Sequence, residues 1–524
     1  MELKLAVRPH DLPALLRALT ARAANPDIRR ARLVSTYFDT PRHDLLHQGL
    51  VLRVRRKGRR YIQTVKSDRV AGGGLARGEW EDVVAGADPD PQARESGPLL
   101  PANIAGRLAP LFRTEISRRK IDLFPVAGTH IEVAVDRGHI RVAAGEAEEP
   151  VSEIELELKS GDTIALYDMA LDLLAVAPLR LESRSKAERG YRLATPDASP
   201  LQAAHAAPVE LDPGLTGDET LRRIGLACLD QVLHNDAPVL AGLPDGIHQM
   251  RVAVRRLRAI LSAFSRLLPR DQRRWASGEL RWLADALGAA RNLDVFAADT
   301  LAPAAKALRA NGTPGVPERG VTGGIAALNA AAERRRQGAY ATATSALRSV
   351  RYTAILLRLM RWFDACGWRD SGASSALTQP IGDIAAGVLD RRRRASKRRS
   401  RDFAGQSPPQ RHRLRIALKK LRYSTEMLAG LYQPDAVSRF TKQVKRLQDD
   451  LGEANDVAVA RDIVAELASP GSSGALAGAT IIEWHEHRLA AHEPRLHQHL
   501  NELLAAAPFW HPPEEEVRPS QTET

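Results

Sequence analysis

The sequence predicts an α+β protein of more than one domain, in which a strand-rich part of about 195 residues precedes an all-α part written twice. Three observations carry that prediction. Short alternating segments fill residues 1–195, nearly everything from Asp218 onward has helical period, and two stretches of the helical part match each other in register. The 524 residues suffice for about two to four domains with full cores.

In the first part, Leu50–Arg56, Tyr61–Lys66, His130–Val135 and Val151–Lys159 alternate as strands, and His10–Ala24 and Asp162–Leu174 read as helices. Within Val151–Lys159, the side chains of Glu153, Glu155 and Glu157 share one face, and Ile154, Leu156 and Leu158 take the other. Arg53 and Arg55 share a face in the same way, opposite Leu52 and Val54. Further charges stand at Lys66, Glu79, Arg118, Glu132, Asp136 and Lys186. A half-exposed antiparallel sheet with its charges toward water explains any one strand. Acids cluster on some strands and bases on others, however. Closing the sheet with that face inward would make a polar lumen in which bases hold phosphates and acids hold a divalent metal. Alternation leaves both orientations open.

Between Ala194 and Gly217 the chain is rich in Pro, Ala and Asp, which marks a linker. Helical period then continues, with breaks expected at Ala310–Gly324, Gly405–Pro409 and Ser469–Gly474. The Pro- and Glu-rich end from Pro508 is expected to be disordered.

The repeat is written as Ile247–Leu261 and again from Arg411. His248, Arg251, Arg255, Arg256 and Arg258 match His412, Arg415, Lys419, Lys420 and Arg422 at a constant offset of 164 residues, and Leu287-Gly288 matches Leu451-Gly452 at the same offset. On a helix, His248, Arg251, Arg255 and Arg258 form a file beside an apolar stripe of Met250, Val254, Leu257 and Leu261. The stripe explains burial. It leaves unexplained a file of like charges, which repel by a few tenths of a kcal/mol per pair and which an anion along the file would relieve.

Composition narrows the partner. Hydrophobic residues make up 44% and charged residues 27%, as in soluble globular proteins. No apolar run of membrane-spanning length appears, and Met1–Leu12 lacks the apolar core of a signal peptide, so a cytoplasmic protein with no membrane partner is expected. Cys228 and Cys366 cannot build a disulfide framework or a cysteine metal site. Residues 1–200 carry 31 Lys+Arg against 28 Asp+Glu, and the remainder carries 45 against 35. A basic second part suits nucleic acid, a phosphate polymer or anionic lipid. Only 5% of residues are aromatic and none interleaves with the cationic files, which disfavours nucleic acid bound by base stacking and favours a base-free phosphate chain. The run Arg391–Arg401 is expected to extend the same basic surface.

Residues 1–195 resemble the CYTH family of triphosphate tunnel metalloenzymes. The likeness lies in Glu2-Leu3-Lys4, Tyr37-Phe38-Asp39-Thr40, Leu52-Arg53-Val54-Arg55, Gln63-Thr64-Val65-Lys66, Arg77-Gly78-Glu79 and Phe112 through Arg118. It continues through Glu132–Asp136, Ser152–Glu157, Ser185-Lys186 and Arg189-Gly190-Tyr191. The resemblance implies a closed antiparallel β-barrel, the triphosphate tunnel, that cleaves or cyclises triphosphate compounds with Mg²⁺ or Mn²⁺. It implies that Lys4, Arg53, Arg55, Lys66, Arg118 and Lys186 bind the triphosphate, that Glu2, Glu153 and Glu155 hold the metal, and that Glu79 and Asp136 act beside it as catalytic residues. Glu157 is a further candidate acid. The family opens with Glu-x-Glu-x-Lys, whereas this chain opens with Met1-Glu2-Leu3-Lys4. Either the start lies a few codons too late or the site is one carboxylate short, which would weaken a hard cation's binding and the catalysis that depends on it.

Residues from about 216 to 510 resemble the CHAD family through the two basic copies, Leu287–Asp294 and Leu451–Asp456. That resemblance implies two pseudo-symmetric four-helix bundles binding inorganic polyphosphate through His248, Arg251, Arg255, Arg258, His412, Arg415, Lys419 and Arg422. The expected domains are 1–197, a linker at 198–215, and 216–510 as repeats of about 216–370 and 371–510, with a tail at 511–524. The expected function is a metal-dependent triphosphatase acting on inorganic triphosphate or another triphosphate compound, with a polyphosphate-binding module and association with polyphosphate granules. The alternatives are a catalytically weak polyphosphate-recruitment protein and, third, a CYTH-type adenylate cyclase.

Overall fold

The computed structural model describes residues 1–23, 27–67, 78–197, 200–311, 318–371 and 375–511. Arg77 and nearly all of the expected tail lie outside the described residues. The chain forms two compact units, Met1–Ala203 with Arg348–Arg361, and Ala204–Leu347 with Trp362–Thr524.

The first unit is built on nine strands: β1 (Glu2–Val7), β2 (Arg29–Asp39), β3 (Leu50–Lys57), β4 (Arg60–Ser67), β5 (Gly78–Val84), β6 (Ala109–Leu123), β7 (His130–Val142), β8 (Glu148–Ser160) and β9 (Leu179–Leu181). They make one antiparallel sheet in the order β5-β4-β3-β2-β6-β7-β8-β1-β9. The hydrogen-bonded ladder is open, ending at β5 on one side and at the three-residue β9 on the other, so the expected barrel is not closed by strand pairing among the described residues.

Both faces of the central strands are covered, for different reasons. Leu5, Ile154, Leu156 and Val133 are buried on the apolar face. Two helices, α1 (Leu12–Arg22) and α4 (Ile164–Val176), pack on β1, β6 and β8 with Leu12, Leu15, Leu19, Leu166 and Leu173 buried. Farther along, α2 (Asp44–His47) and α3 (Ala102–Ala105) contribute Leu45 and Ile104 to a second core with Phe38, Leu52, Val54 and Val65. The charged face is occupied at one end by α5 (Lys186–Ala194), whose Tyr191 joins Tyr37, Phe112, Ile116, Ile140 and Val151 in a third core. Phe112 stacks on Tyr37 at 4.4 Å between ring centroids and meets Tyr191 edge-on at 5.4 Å. A β-carbon on Gly190 would come within 2.1 Å of the Phe112 ring, so glycine is what lets α5 lie this close.

The second unit is helical. Its first half holds α6 (Gly217–His234), α7 (Asp236–Leu240), α8 (Pro244–Ala263), α9 (Arg270–Ala286), α10 (Gly288–Val295), α11 (Ala302–Asn311) and α12 (Glu318–Leu347). After α13 (Val350–Asp364), which is shared between the units, come α14 (Ile381–Arg399), α15 (Pro408–Met427), α16 (Pro434–Leu467) and α17 (Ser473–Ala505). The starts of α6, α8 and α9 recur 164 residues later as α14, α15 and α16. Two backbone hydrogen bonds register the copies against each other: Gly217 N–H donates to Gln379 O at 3.0 Å, and Ile381 N–H donates to Leu215 O at 2.7 Å. Each bond is the other shifted by 164, which is the contact pattern of a two-fold axis. The copies differ where α16 runs unbroken, because its counterpart is divided into α9, α10 and a π-helical turn at Phe296–Leu301. No helix of the described residues is long and apolar enough to cross a membrane.

Candidate active site and basic helical surface

Register assembles the charged face of the sheet. Arg118 on β6 lies opposite Asp136 on β7, Asp136 opposite Glu153 on β8, and Glu155 opposite Lys4 on β1. Asp136, Glu153 and Glu155 bring one carboxylate oxygen each within 4.8 Å of one another. Asp136 is fully buried and Glu153 is 2% exposed. Lys186, the first residue of α5, reaches into the group, its Nζ standing 2.8 Å from Asp136 and 2.9 Å from Glu155 and also bonded to Glu153. A capping box between Ser185 and Glu188 fixes the start of the helix that carries it. Arg118 Nε donates to Asp136 at 2.7 Å, and its Nη2 bonds Glu155.

The two glutamates are driven apart electrostatically. Burial pushes Glu153 above its ordinary value and outweighs the pull of Lys186. Burial opposes ionisation of Glu155 too, but Lys186 and Arg118 together hold it at about 2. Three converging carboxylates are a hard oxygen set of the kind Mg²⁺ and Mn²⁺ select, so these residues fit a divalent ion.

The expected metal set of Glu2, Glu153 and Glu155 is not what the structure brings together. Glu2 lies opposite Glu157, two residues along β8 from Glu155, and its half-exposed side chain faces Lys4 at 3.8 Å. Two residues of strand are about 7 Å, enough to take a carboxylate out of the group. Asp136, expected beside the metal, completes the group instead. Glu79 is on another wall of the sheet, 2.9 Å from Lys66 and 3.8 Å from Arg53. Arg53 donates to Thr64 Oγ1 at 2.9 Å and to Glu81 at 3.4 Å, and its Nε is buried without a partner. Arg55 donates to Ser35 Oγ at 3.0 Å. Burial, Arg53 and Arg118 depress Arg55 to about 10, so three guanidinium groups stand in one another's field.

Sequence reasoning assigned no role to Arg189 or Glu81. Arg189 is buried and donates to Glu149 at 2.7 Å, to Glu153 at 3.1 Å and to Pro150 O at 2.7 Å. Its signal was its spacing, one helical turn after Lys186. Glu81 follows Glu79 by two and so shares its face of β5. Asp39, by contrast, is structural: it accepts from Leu45 N–H, Leu46 N–H and Tyr191 OH and so anchors α2.

In the helical unit the two basic copies meet, because α8 packs against α15. Arg255 donates to Tyr423 OH at 3.0 Å, and its charge depresses Arg251 in its own copy and Arg415 and Lys419 in the other. Burial, Arg415 and Arg255 bring Lys419 down to about 7. Burial, Arg255 and Arg291 bring Arg251 to about 10. Burial, Arg291 and Arg255 hold His248 at about 4, well below the ordinary histidine value, so it adds no positive charge to the file near pH 7. The guanidinium groups of Arg251 and Arg415 lie beside Gly288 and Gly452, so the same contact recurs in both copies.

The remaining expected residues stand at the edge of this surface. Arg258 is half-buried in the field of Arg281. His412 bonds Asn455 at 3.0 Å and is exposed. Arg422 is paired with Glu426 at 3.4 Å. Lys420 lies in the field of Arg392, Arg399 and Arg258, which ties part of Arg391–Arg401 to the repeat, as expected. Arg281 and Arg291 were not in the expected set, because each comes from another helix and helical period relates residues only within one.

Comparison with known proteins agrees with this division. A family model for the CYTH domain matches residues 1–191, and one for the CHAD domain matches residues 223–465. An inorganic triphosphatase of Haemophilus influenzae is 34% identical over 199 residues, 37% of this chain and 54% of that protein, so the chain spans about half of that relative's length. An uncharacterized protein of Mycobacterium tuberculosis is 28% identical over 463 residues, 82% of this chain and 81% of its own. The crystal structure of the CHAD domain from the plant Ricinus communis is 26% identical with a TM-score of 0.47, covering 59% of this chain and 98% of that one. The chain therefore carries a CYTH domain at residues 1–191 followed by a CHAD domain at residues 223–465.

Proposed function

We propose that the protein is a divalent-metal-dependent triphosphatase of the cytoplasm that hydrolyses inorganic triphosphate, and that its helical module binds inorganic polyphosphate. The observation that carries the reading is the buried group of Asp136, Glu153 and Glu155 beside Arg118, which shares its field with Arg53 and Arg55. Asp136, Glu153 and Glu155 would hold Mg²⁺ or Mn²⁺, which when bound neutralises phosphate charge and activates water.

The chain's own residues do the positioning. Arg53, Arg55 and Arg118 offer planar forks to the phosphate oxygens, and an anion among them relieves their mutual repulsion. Lys4 and Lys186 add charge beside the carboxylates, and Glu79 orients Lys66 and Arg53. Arg189 holds one oxygen of Glu153, leaving the other to face the group. Water adds to a terminal phosphorus, the bridging P–O bond breaks, and orthophosphate and pyrophosphate leave. Phosphoryl transfer of this kind asks for alignment and charge neutralisation more than for covalent help.

Phosphate release from triphosphate, measured with and without Mg²⁺, tests the reading. Glu153→Gln/Glu155→Gln should reduce the rate by about 100-fold or more, the scale on which removing electrostatic groups acts. Release equal in the native chain and the double variant would remove it. One observation favours a second reading, a catalytically weak polyphosphate-recruitment protein: Glu2 stands away from the carboxylate group, and Lys186, Arg118 and Arg189 already neutralise that group.

A further inference from the structure

The side of β2, β6 and β7 that faces away from the carboxylate group carries a second concentration of arginine. Arg30 and Arg119 are direct partners across β2 and β6. Like charges placed opposite one another in an antiparallel pair are unfavourable by about 0.2–1 kcal/mol, and a bound anion would relieve that repulsion. On the same face Arg32 lies opposite Ser117, Ser117 opposite Arg137, and Arg137 opposite Ser152, so one row crosses four strands. Glu115 is the acid at hand, and it is engaged by Arg32 and Arg113, each at 3.5 Å. Among the described residues no ion pair is formed by Arg30, Arg119 or Arg137, all of them exposed. Arg30, Arg32, Glu115, Ser117, Arg137 and His139 line an open depression of about 390 Å³. At the end of the row the Ser152 hydroxyl is buried without a hydrogen-bond partner.

We propose that this depression is a second phosphate-binding site, separate from the carboxylate group and from the helical surface. Three guanidinium groups around the Ser117 hydroxyl line the depression, with Arg119 paired to Arg30 beside it, and this is the donor set that recognises phosphate oxygens. The anion is inorganic phosphate, either free orthophosphate or the end of a phosphate chain. Its position ties it to the other face: Ser117, Arg137 and Ser152 are the chain neighbours of Arg118, Asp136 and Glu153. Successive residues of a strand point to opposite faces, so the two sites share three backbone segments.

Labelling of the full-length chain with phenylglyoxal, followed by peptide mass mapping, reads each arginine separately. At ten times the dissociation constant, orthophosphate or long-chain polyphosphate should slow labelling of Arg30, Arg119 and Arg137 about tenfold relative to chloride at equal ionic strength. Protection by orthophosphate identifies the free anion as ligand, and protection by the chain alone identifies its terminus. Arg119→Ser should abolish protection of Arg30 and Arg137 while leaving protection of Arg53 intact. Arg137→Gln, a change on another strand, should do the same to Arg30 and Arg119. Labelling at Arg30, Arg119 and Arg137 that neither anion slows, or protection that survives both substitutions, overturns the proposal.

Discussion

The two units handle positive charge in opposite ways. In the sheet, Lys186 and Arg118 are matched by Asp136, Glu153 and Glu155 within hydrogen-bonding distance, and the pairing is buried. On the helices, Arg251, Arg255, Arg415 and Lys419 face one another, and burial and like charge push the ionisation of Arg251, Arg415 and Lys419 downward. A matched cluster can exchange its internal partners for a cation and an anion together, which suits chemistry on a phosphate. An unmatched file can accept only the anion, which suits holding. Sequence charge alone does not separate the two cases, since both are rich in arginine.

After the paired glutamate substitution, the largest expected effect is on the helical side. Arg255→Glu/Arg415→Glu should lower polyphosphate affinity by at least about 100-fold and flatten its salt dependence, because two contacts become repulsions where the copies meet. Triphosphate hydrolysis should be unchanged. Titration calorimetry at two salt concentrations beside an activity assay reads both, and a parallel loss of both would show that the units do not divide the work.

A smaller effect, in the matched cluster, is expected from Lys186→Ala. The ammonium competes with a divalent cation for the same three carboxylates, so its removal should tighten Mn²⁺ binding about tenfold while raising the KM for triphosphate. Mn²⁺ titration followed by electron paramagnetic resonance would decide it, and weaker Mn²⁺ binding would make Lys186 a support of the carboxylates.

The smallest effect is a pH dependence of a few-fold. Lys419 is depressed to about 7 by burial, Arg415 and Arg255, so the folded chain binds fewer protons at this site than the unfolded chain between about pH 7 and the ordinary lysine value. Its contribution to stability therefore rises with pH across that window. An anion bound beside it partly reverses the depression, so polyphosphate binding should take up part of a proton above pH 7 and weaken as pH rises to 9. Calorimetry in buffers of different ionisation enthalpy measures the uptake, and Lys419→Arg should abolish it.

Much of the charged face is legible in the sequence. Glu153 and Glu155 share a face by alternation, and strand β8 realises it. The helix starting at Pro408 and the gap between α16 and α17 fall where Pro, Gly and Ser mark breaks. The first long helix after the Gly- and Pro-rich stretch begins at Glu318, earlier than the expected break ends, because buried Ile325, Leu328 and Ala332 anchor it. What was not legible involves partners far apart in the chain. Asp136 joins Glu153 only through the register of β7 on β8, and Glu2 misses the group through that of β1 on β8.

By itself the sequence determined which residues share a face, that the helical part is a duplication, and that its cations repeat in phase. Those are properties of strand and helix period, set by backbone geometry within one element. Only the tertiary structure decided that Asp136 and Glu153 on the charged face are buried, that the third carboxylate of the group is Asp136, and that the two cationic files meet at Arg255. The physical reason is that these depend on stagger between strands and on which helices touch. Both are settled by the packing of buried side chains such as Phe112 and Tyr191, which no periodicity within an element encodes.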